Sequence, residues 1–399
     1  SAGVEWRDVI PEIRRQIHGG SLSGDDLPEP LATMVDGIEN KESALEHAFY
    51  WIRDTLKYAT IRSGVKNIGH KDRARRIIES GVGNCNDKSF LLSLVCRRLN
   101  LPHEFVAISS KNGVLIEDAP ADQFDHVFVR VKPIDRWIYL DAASPMSTFG
   151  SAPAWCQGMQ VLVIDDEGTV VTIPVDPPDV NSMEISEAFD KIHAGRVHGR
   201  FDFRAHGQCA RLIDERWKRI SLTMDDQQQS GQEALREYLP SSAVLTYARE
   251  ADTSAPSAFH VSGQHSRGPL VPLGKNSKVI GTLLWDVPFL PVSYWRTLQI
   301  NRLFVVIFPT TVDLKTRLEG ELYRCVEDVS RLRTLDNPVC NIREEVVDDG
   351  SALTVRRTIV FKNKYTRGEE AKLVPEALER IEEALQLVIS IDDAAMHAR

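Results

Sequence analysis

Cys85, His126 and Asp141 are the residues of this chain whose types, order and settings fit nucleophilic chemistry. Cys85 lies in the polar run Gly83-Asn84-Cys85-Asn86-Asp87-Lys88-Ser89, which passes directly into Phe90-Leu91-Leu92-Ser93-Leu94-Val95. That pattern predicts a helix from about 85 to 99, opening at the cysteine and ended by Asn100 and Pro102. A helix N-terminus carries unpaired N–H groups and a partial positive charge. A thiol there ionises more easily, and the thiolate is the nucleophile. Gly81 and Gly83 allow close backbone approach just before it. The chemistry expected of the three residues is acyl transfer. Cys85 attacks a carbonyl carbon, His126 takes the thiol proton and returns one to the leaving amine, and Asp141 holds the imidazole in one tautomer. The Cys85 N–H is the expected oxyanion donor, with Tyr58 and Trp51 as candidates for a second.

The pairing of histidine with aspartate follows from strand register. Residues 126–132 and 137–143 read as a hairpin turning at Pro133 to Arg136, so that Lys132 faces Trp137 and His126 faces Ala143. Asp141 then shares a sheet face with His126 as its diagonal neighbour, roughly 7–8 Å away at the backbone. The opposite face collects Val127, Val129, Val131, Ile138 and Leu140, an apolar set that a one-residue slip scrambles. Asp125 points to the other face and ranks below Asp141, while Asp87 in the first helical turn reads as a partner for unpaired N–H groups. Each residue alone also has a plainer reading: a buried structural thiol, a satisfied strand-end histidine, a turn aspartate. Cys96 shares the Cys85 side of the helix with Leu92 and Leu99 and reads as a small core residue.

The elements that must hold these groups are helical first and strand-led second. Residues 5–60 read as mainly helical, with a stripe of Leu45, Phe49, Ile52 and Leu56 over Lys41 to Lys57 capped by Asn40. A basic helix spans Asp72 to Glu79. Short strands are expected at Phe105–Ser109, Val114–Ile116, Val127–Val131, Trp137–Leu140 and Gln160–Ile164. The fold class is α+β, a helical layer on an antiparallel sheet. Three regions result: a helical linker at 1–40, a catalytic core at 41–173 and, after a proline-rich boundary at 174–182, a β-rich, sandwich-like region at 183–399. In the last region strands are expected near 184–204, 279–285, 302–308 and 353–361, with a polar helical stretch at 207–237, a Ser-, Gly- and Pro-rich segment at 241–275 and a helix at 369–388. No constellation with chemistry is found there; His206 and Cys209 alone make a poor metal site.

Composition narrows the function classes. The net charge of −9 leaves no basic surplus for bulk nucleic-acid binding. No run of 18 apolar residues marks a membrane span. The six cysteines, at 85, 96, 156, 209, 325 and 340, form no C-x-x-C pair; they read as free thiols, with a Cys325–Cys340 pairing as the alternative. No cofactor or metal is called for. The start at Ser1-Ala2-Gly3, without a methionine, reads as a processed or cloned one.

Gly83-x-Cys85-x-Asp87-Lys88-Ser89-x-Leu91-Leu92, then Leu99-Asn100-Leu101-Pro102, then Asp125-His126-Val127-x-Val129, then Trp137-x-x-Leu140-Asp141 resembles the transglutaminase-like superfamily over about 40–150. The resemblance implies a papain-like core with its segments rearranged, and a family cysteine, histidine and aspartate at Cys85, His126 and Asp141. The whole chain resembles a bacterial subgroup in which this core stands between β-rich domains. Trp6 onward is similar to the linker after the first of these, and Arg356-Arg357 to Tyr365 to the end of the last. By that likeness an upstream β-rich domain is missing, the location is periplasmic or extracellular, and the substrate is a protein or peptide. Where the subgroup usually has Asp and Lys beside the cysteine, this chain has Asn84 and Asn86. The expected function is a cysteine-dependent amide hydrolase or peptidase working through an acyl-thioester. The alternatives are a transamidase of the same fold and a non-catalytic binding or scaffold protein with a vestigial triad.

Overall fold

The structure, a computed structural model, describes residues 5–17, 23–60, 70–110, 115–116, 120–121, 123–221, 244–250, 258–267, 271–272, 277–281, 303–305, 309–329, 331–363 and 365–391. The chain divides into two units, Ser1–Pro174 and Val175–Arg399.

In the first unit the helices α1 (Trp6–Ile17), α2 (Leu31–Asp36) and α3 (Lys41–Thr55) come first. A short strand β1 (Lys57–Tyr58) follows, then α4 (His70–Ser80), β2 (Val82–Gly83) and α5 (Cys85–Arg98). The strands β3 (His103–Ile108), β4 (His126–Val131), β5 (Ile138–Leu140), β6 (Gln160–Val163) and β7 (Val170–Thr172) build one antiparallel sheet in the order β5-β4-β3-β6-β7. β1 and β2 pair separately and in parallel, Tyr58 opposite Gly83.

Local chemistry fixes both ends of α5. The Asn84 side chain accepts from the Asp87 N–H while Asp87 reaches back to the Asn84 N–H, a reciprocal cap. At the other end Asn100 takes a left-handed conformation, φ 53°, and the Leu101 N–H closes onto the Cys96 carbonyl at 2.8 Å. Between these ends the helix is buried on every side from Asp87 to Cys96, not along one stripe. One side of the sheet packs on it through Val127, Val129, Val131, Ile138 and Leu140, in a core shared with Phe49, Phe90 and Leu91. The other side, with Val106, Ile108, Phe128 and Tyr139, forms a second cluster with Cys156, Val161 and Ile173. A sheet covered on both faces explains why its strands read as nearly continuous apolar runs.

Several expectations need correction. The helices expected as a linker within 1–40 pack into the first unit: Trp6, Ile10, Ile13, Ile17, Leu27 and Leu31 are buried in the same core as α3 and α5. Residues 115 and 116 are not strand, and Val114 lies outside the described residues. β7 was not anticipated.

The second unit is β-rich. Its main sheet contains β8 (Ser182–His193), β9 (Arg196–His206), β10 (Val244–Glu250), β11 (Ala258–Arg267), β15 (Thr310–Glu319), β17 (Leu335–Asp336), β18 (Cys340–Asp348) and β19 (Ala352–Phe361). Their order is β10-β11-β9-β8-β15-β19-β18-β17, with β8 and β15 parallel. A four-stranded sheet holds β12 (Val271–Pro272), β13 (Ser277–Gly281), β16 (Val326–Val329) and β21 (Gln386–Ile391), and β14 (Leu303–Val305) pairs with β20 (Tyr365–Arg367). The described helices are α6 (Gly207–Ser221), α7 (Gly320–Cys325) and α8 (Val374–Ala384). Phe189, Val197, Leu318 and Val355 of the large sheet share a core with Val329, Leu387 and Ile389 of the four-stranded one.

The helix expected at 369–388 ends at Ala384, and Gln386–Ile391 is a strand whose Leu387 and Ile389 are buried. Strands β15 and β18 were missed, and the segment at 241–275 contains the long strands β10 and β11. Residues 222–237 and 282–285 lie outside the described set.

Candidate active site

β4 and β5 pair with Val129 opposite Leu140 and Val131 opposite Ile138, the register expected from the apolar pattern. That register leaves His126 at the start of β4 and Asp141 just past β5. The His126 Nε2 lies 2.9 Å from Asp141 Oδ2, and the Ala143 N–H donates to Asp141 Oδ1 at 3.0 Å. Asp141 is 1% exposed. With Nε2 held by the carboxylate, Nδ1 is the ring nitrogen left for the thiol, and the Cys85 side chain is hydrogen-bonded to His126. The structure therefore brings Cys85, His126 and Asp141 into one contiguous set.

The electrostatics favour a charged pair. Burial pushes the Cys85 thiol up, but the His126 hydrogen bond and charge, with the Val127 and Asn86 backbone, bring it below its ordinary value. Burial pushes the His126 imidazole down, but the charge and hydrogen bond of Asp141, and then Cys85, carry it up to about 10. Both displacements point to thiolate and imidazolium, the form in which the sulfur is already a nucleophile.

Three consecutive residues after the cysteine anchor its helix in three directions. Asp87 closes the cap and accepts from Arg73 at 2.9 Å, whose other nitrogen donates to the Ile17 carbonyl at the end of α1 at 2.7 Å. Lys88 donates to the carbonyls of Arg53 and Ala142 at 3.0 and 3.1 Å. Ser89 donates to the Val127 carbonyl at 3.0 Å, tying the helix to the strand that carries His126. Asp125, the lower-ranked acid, instead accepts from the N–H and hydroxyl of Ser110.

A cavity of about 200 Å³ opens at the thiol, lined by Ile13, Ile17, Tyr58, Asn84, Asn86 and Phe124 among others. Of the two aromatic candidates, Tyr58 is hydrogen-bonded to Cys85, whereas Trp51 packs half-buried against the hydrophobic core. Burial first, and then the Cys85 charge, raise the Tyr58 phenol, so it stays a donor. Sequence reasoning missed two contributors. Trp155 and the His126 ring meet edge to face at a centroid distance of 5.7 Å. The end of α1 supplies Ile13 and Ile17 to the cleft; the spacing of Ile10, Ile13 and Ile17 marks a buried helical face but not what it faces. Among the described residues, no group of three or more His, Cys, Asp and Glu side chains is placed to hold a metal. No described helix is long and apolar enough to cross a membrane.

Comparison with known proteins bears on the fold. Residues 30–142 match the model of the Transglutaminase-like superfamily, a span that contains all three residues. Among solved structures, a "putative protease" from Parabacteroides distasonis superposes with a TM-score of 0.55 at 11% identity, over 97% of this chain and 59% of that one. At that identity the likeness is one of fold, and this chain spans only about three-fifths of that protein's length. No curated protein matches the chain.

Proposed function

We propose that this chain, whose residues 30–142 form a domain of the transglutaminase-like superfamily, is a cysteine-dependent amide hydrolase acting on peptides or proteins. The observation that carries the reading is the thiol of Cys85 at a helix N-terminus, hydrogen-bonded to a histidine that a buried aspartate holds.

The Cys85 thiolate adds to the amide carbonyl carbon, and the oxyanion is received by the Cys85 N–H and the Tyr58 hydroxyl. As the C–N bond breaks, the His126 imidazolium gives its proton to the departing amine, leaving an acyl-thioester on Cys85. His126, now neutral, takes a proton from water, whose oxygen attacks the thioester carbonyl. The C–S bond breaks, the acid leaves, and thiolate and imidazolium are restored. Asp141 stays ionised and keeps Nε2 protonated, so that Nδ1 makes each transfer. Tyr58 and the helix N-terminus act on charge that grows in the transition state, where such donors have most effect.

The test is turnover of a peptide library by the full chain and by Cys85→Ala. Cleavage by the wild type alone, with a Cys85 thioester trapped in rapid quench, is the expected result. Equal cleavage by both proteins contradicts the assignment. Repeating the reaction with an added primary amine separates hydrolysis from transamidation by the mass of the product.

A further inference from the structure

We propose that Lys88 is a positioning residue that fixes the Asp141 carboxylate, and through it His126, by gripping the peptide group between Ala142 and Ala143. The inference rests on Cys85, His126 and Asp141 working as one unit.

Lys88 is 2% exposed. Its Nζ donates to the Ala142 carbonyl at 3.1 Å and to the Arg53 carbonyl at 3.0 Å. The Ala142 carbonyl and the Ala143 N–H belong to one planar peptide unit. That N–H donates to Asp141 Oδ1 at 3.0 Å, while Asp141 Oδ2 holds His126 Nε2 at 2.9 Å. From the ammonium to the imidazole there is thus one rigid plane and one carboxylate. Turning the peptide plane withdraws the N–H from Asp141, and the carboxylate loses the contact that sets its angle toward His126.

The placement along the chain matters as much. Lys88 stands three residues after Cys85, close to one turn along the same helix. The nucleophile and the anchor of its distant carboxylate are therefore carried by one rigid element. The second carbonyl, that of Arg53, lies in the last turn of α3, where helical carbonyls lack intrahelical partners. One ammonium joins three segments that are far apart in sequence.

A buried ammonium is costly, and an apolar side chain of similar length would fill the space without that cost. Burial lowers the Lys88 ammonium, Asp141 and Asp54 push it back up and Arg53 opposes them, and the balance leaves it at about 8. A group kept under those conditions is explained by the directed hydrogen bonds it makes. A merely structural role would tie α3 to α5 and leave the reactivity of Cys85 untouched.

The experiment compares wild type, Lys88→Met, Asp141→Asn and the double variant in the full chain. Cys85 alkylation by iodoacetamide is followed against pH by peptide mass spectrometry, and kcat and KM are measured separately. For Lys88→Met the acid limb of alkylation is expected to move toward the ordinary thiol range. Its kcat should fall by about 100-fold with KM nearly constant, as small misplacements of catalytic groups do. Adding Lys88→Met to Asp141→Asn should cost little more, because both act on one carboxylate. Lys88→Arg, which keeps the charge and donors, should recover part of the alkylation profile. A folded Lys88→Met with the wild-type profile, or losses that multiply independently in the double variant, overturns the proposal.

Alkylation needs no turnover, so it is read even if no peptide is cleaved; that outcome removes the proposed function and leaves the Lys88 test intact. Should Lys88→Met not fold, Lys88→Gln is read the same way. In the wild type, amide exchange at Ala143 must be slow, and exchange at the rate of an open turn also overturns the proposal.

Discussion

Each unit of this protein has a helix with a cysteine in its first turn, and the two thiols are pushed in opposite directions. Cys85 is the first residue of α5, and its thiol lies below the ordinary value. Cys209 is the third residue of α6, whose Gln208 N–H is capped by the Asn181 side chain at 2.9 Å, and burial pushes its thiol up. Both sulfurs sit where unpaired N–H groups and the helix dipole favour negative charge. The difference is the partner. Cys85 has a histidine backed by a carboxylate and opens onto a cleft. Cys209 is fully buried with the Thr310 hydroxyl 4.0 Å from its sulfur. Cys96, inside α5 itself, is likewise pushed up by burial. The contrast is that burial alone raises the thiol of Cys209, whereas a histidine beside Cys85 outweighs its burial and brings it below the ordinary value.

Cys85→Ala should reduce amide cleavage to the background rate while the protein stays folded, whereas Cys209→Ala should leave cleavage unchanged; peptide turnover and circular dichroism on both variants check this. Next, Asp141→Asn should lower kcat by up to about 10⁴-fold, because an amide in place of the carboxylate no longer holds the imidazole in its working tautomer. This loss should stay below that of Cys85→Ala.

Third is the pH profile of kcat/KM in the wild type. Cys85 titrates below its ordinary value, so activity should rise on the acid side as the thiolate forms. His126 titrates near 10, so activity should fall on the alkaline side as the imidazolium loses the proton it owes the leaving amine. In His126→Ala, which lacks the group for proton transfer, the acid limb of Cys85 alkylation rather than of turnover should return toward the ordinary thiol range. The smallest effect is on stability: Cys209→Ala should cost on the order of 1 kcal/mol in a denaturant titration, the scale of removing one small group from a packed interior.

How much was legible in the chain depends on whether a residue's setting is local. The start of α5, Asp87 as a partner for its unpaired N–H groups and the register of His126 with Asp141 all follow from patterns a few residues long, and all three are present, although the answering side chain of Asn84 was not foreseen. Lys88 reads from sequence as one more polar residue in a helical first turn. Its burial comes from tertiary neighbours, the end of α3 and the turn after β5. The same reasoning covers β18. Arg343, Glu344 and Glu345 disguise it as a polar loop, but Glu344 stands opposite Arg357 of β19 and the two pair at 2.8 Å, each 5% exposed at the side chain. Arg357 also donates to the Ala384 carbonyl at the end of α8, at 3.2 Å. A charge whose partner lies on another strand cannot be read as buried from its own strand alone. The mistaken extension of α8 has a similar cause: Leu385 continues the helical stripe, but Leu387 and Ile389 follow the period of a strand paired with β13 and β16.

Whether His126 rather than the helix terminus activates Cys85 is decided by alkylating all six cysteines of the native chain with iodoacetamide at a series of pH values. Peptide mass spectrometry then reads each site. The expected result is selective labelling of Cys85 at pH values below the ordinary thiol range, lost in His126→Ala, with Cys96 and Cys209 unlabelled until the protein unfolds. Labelling of Cys85 no faster than Cys209, or unchanged by His126→Ala, contradicts activation by His126.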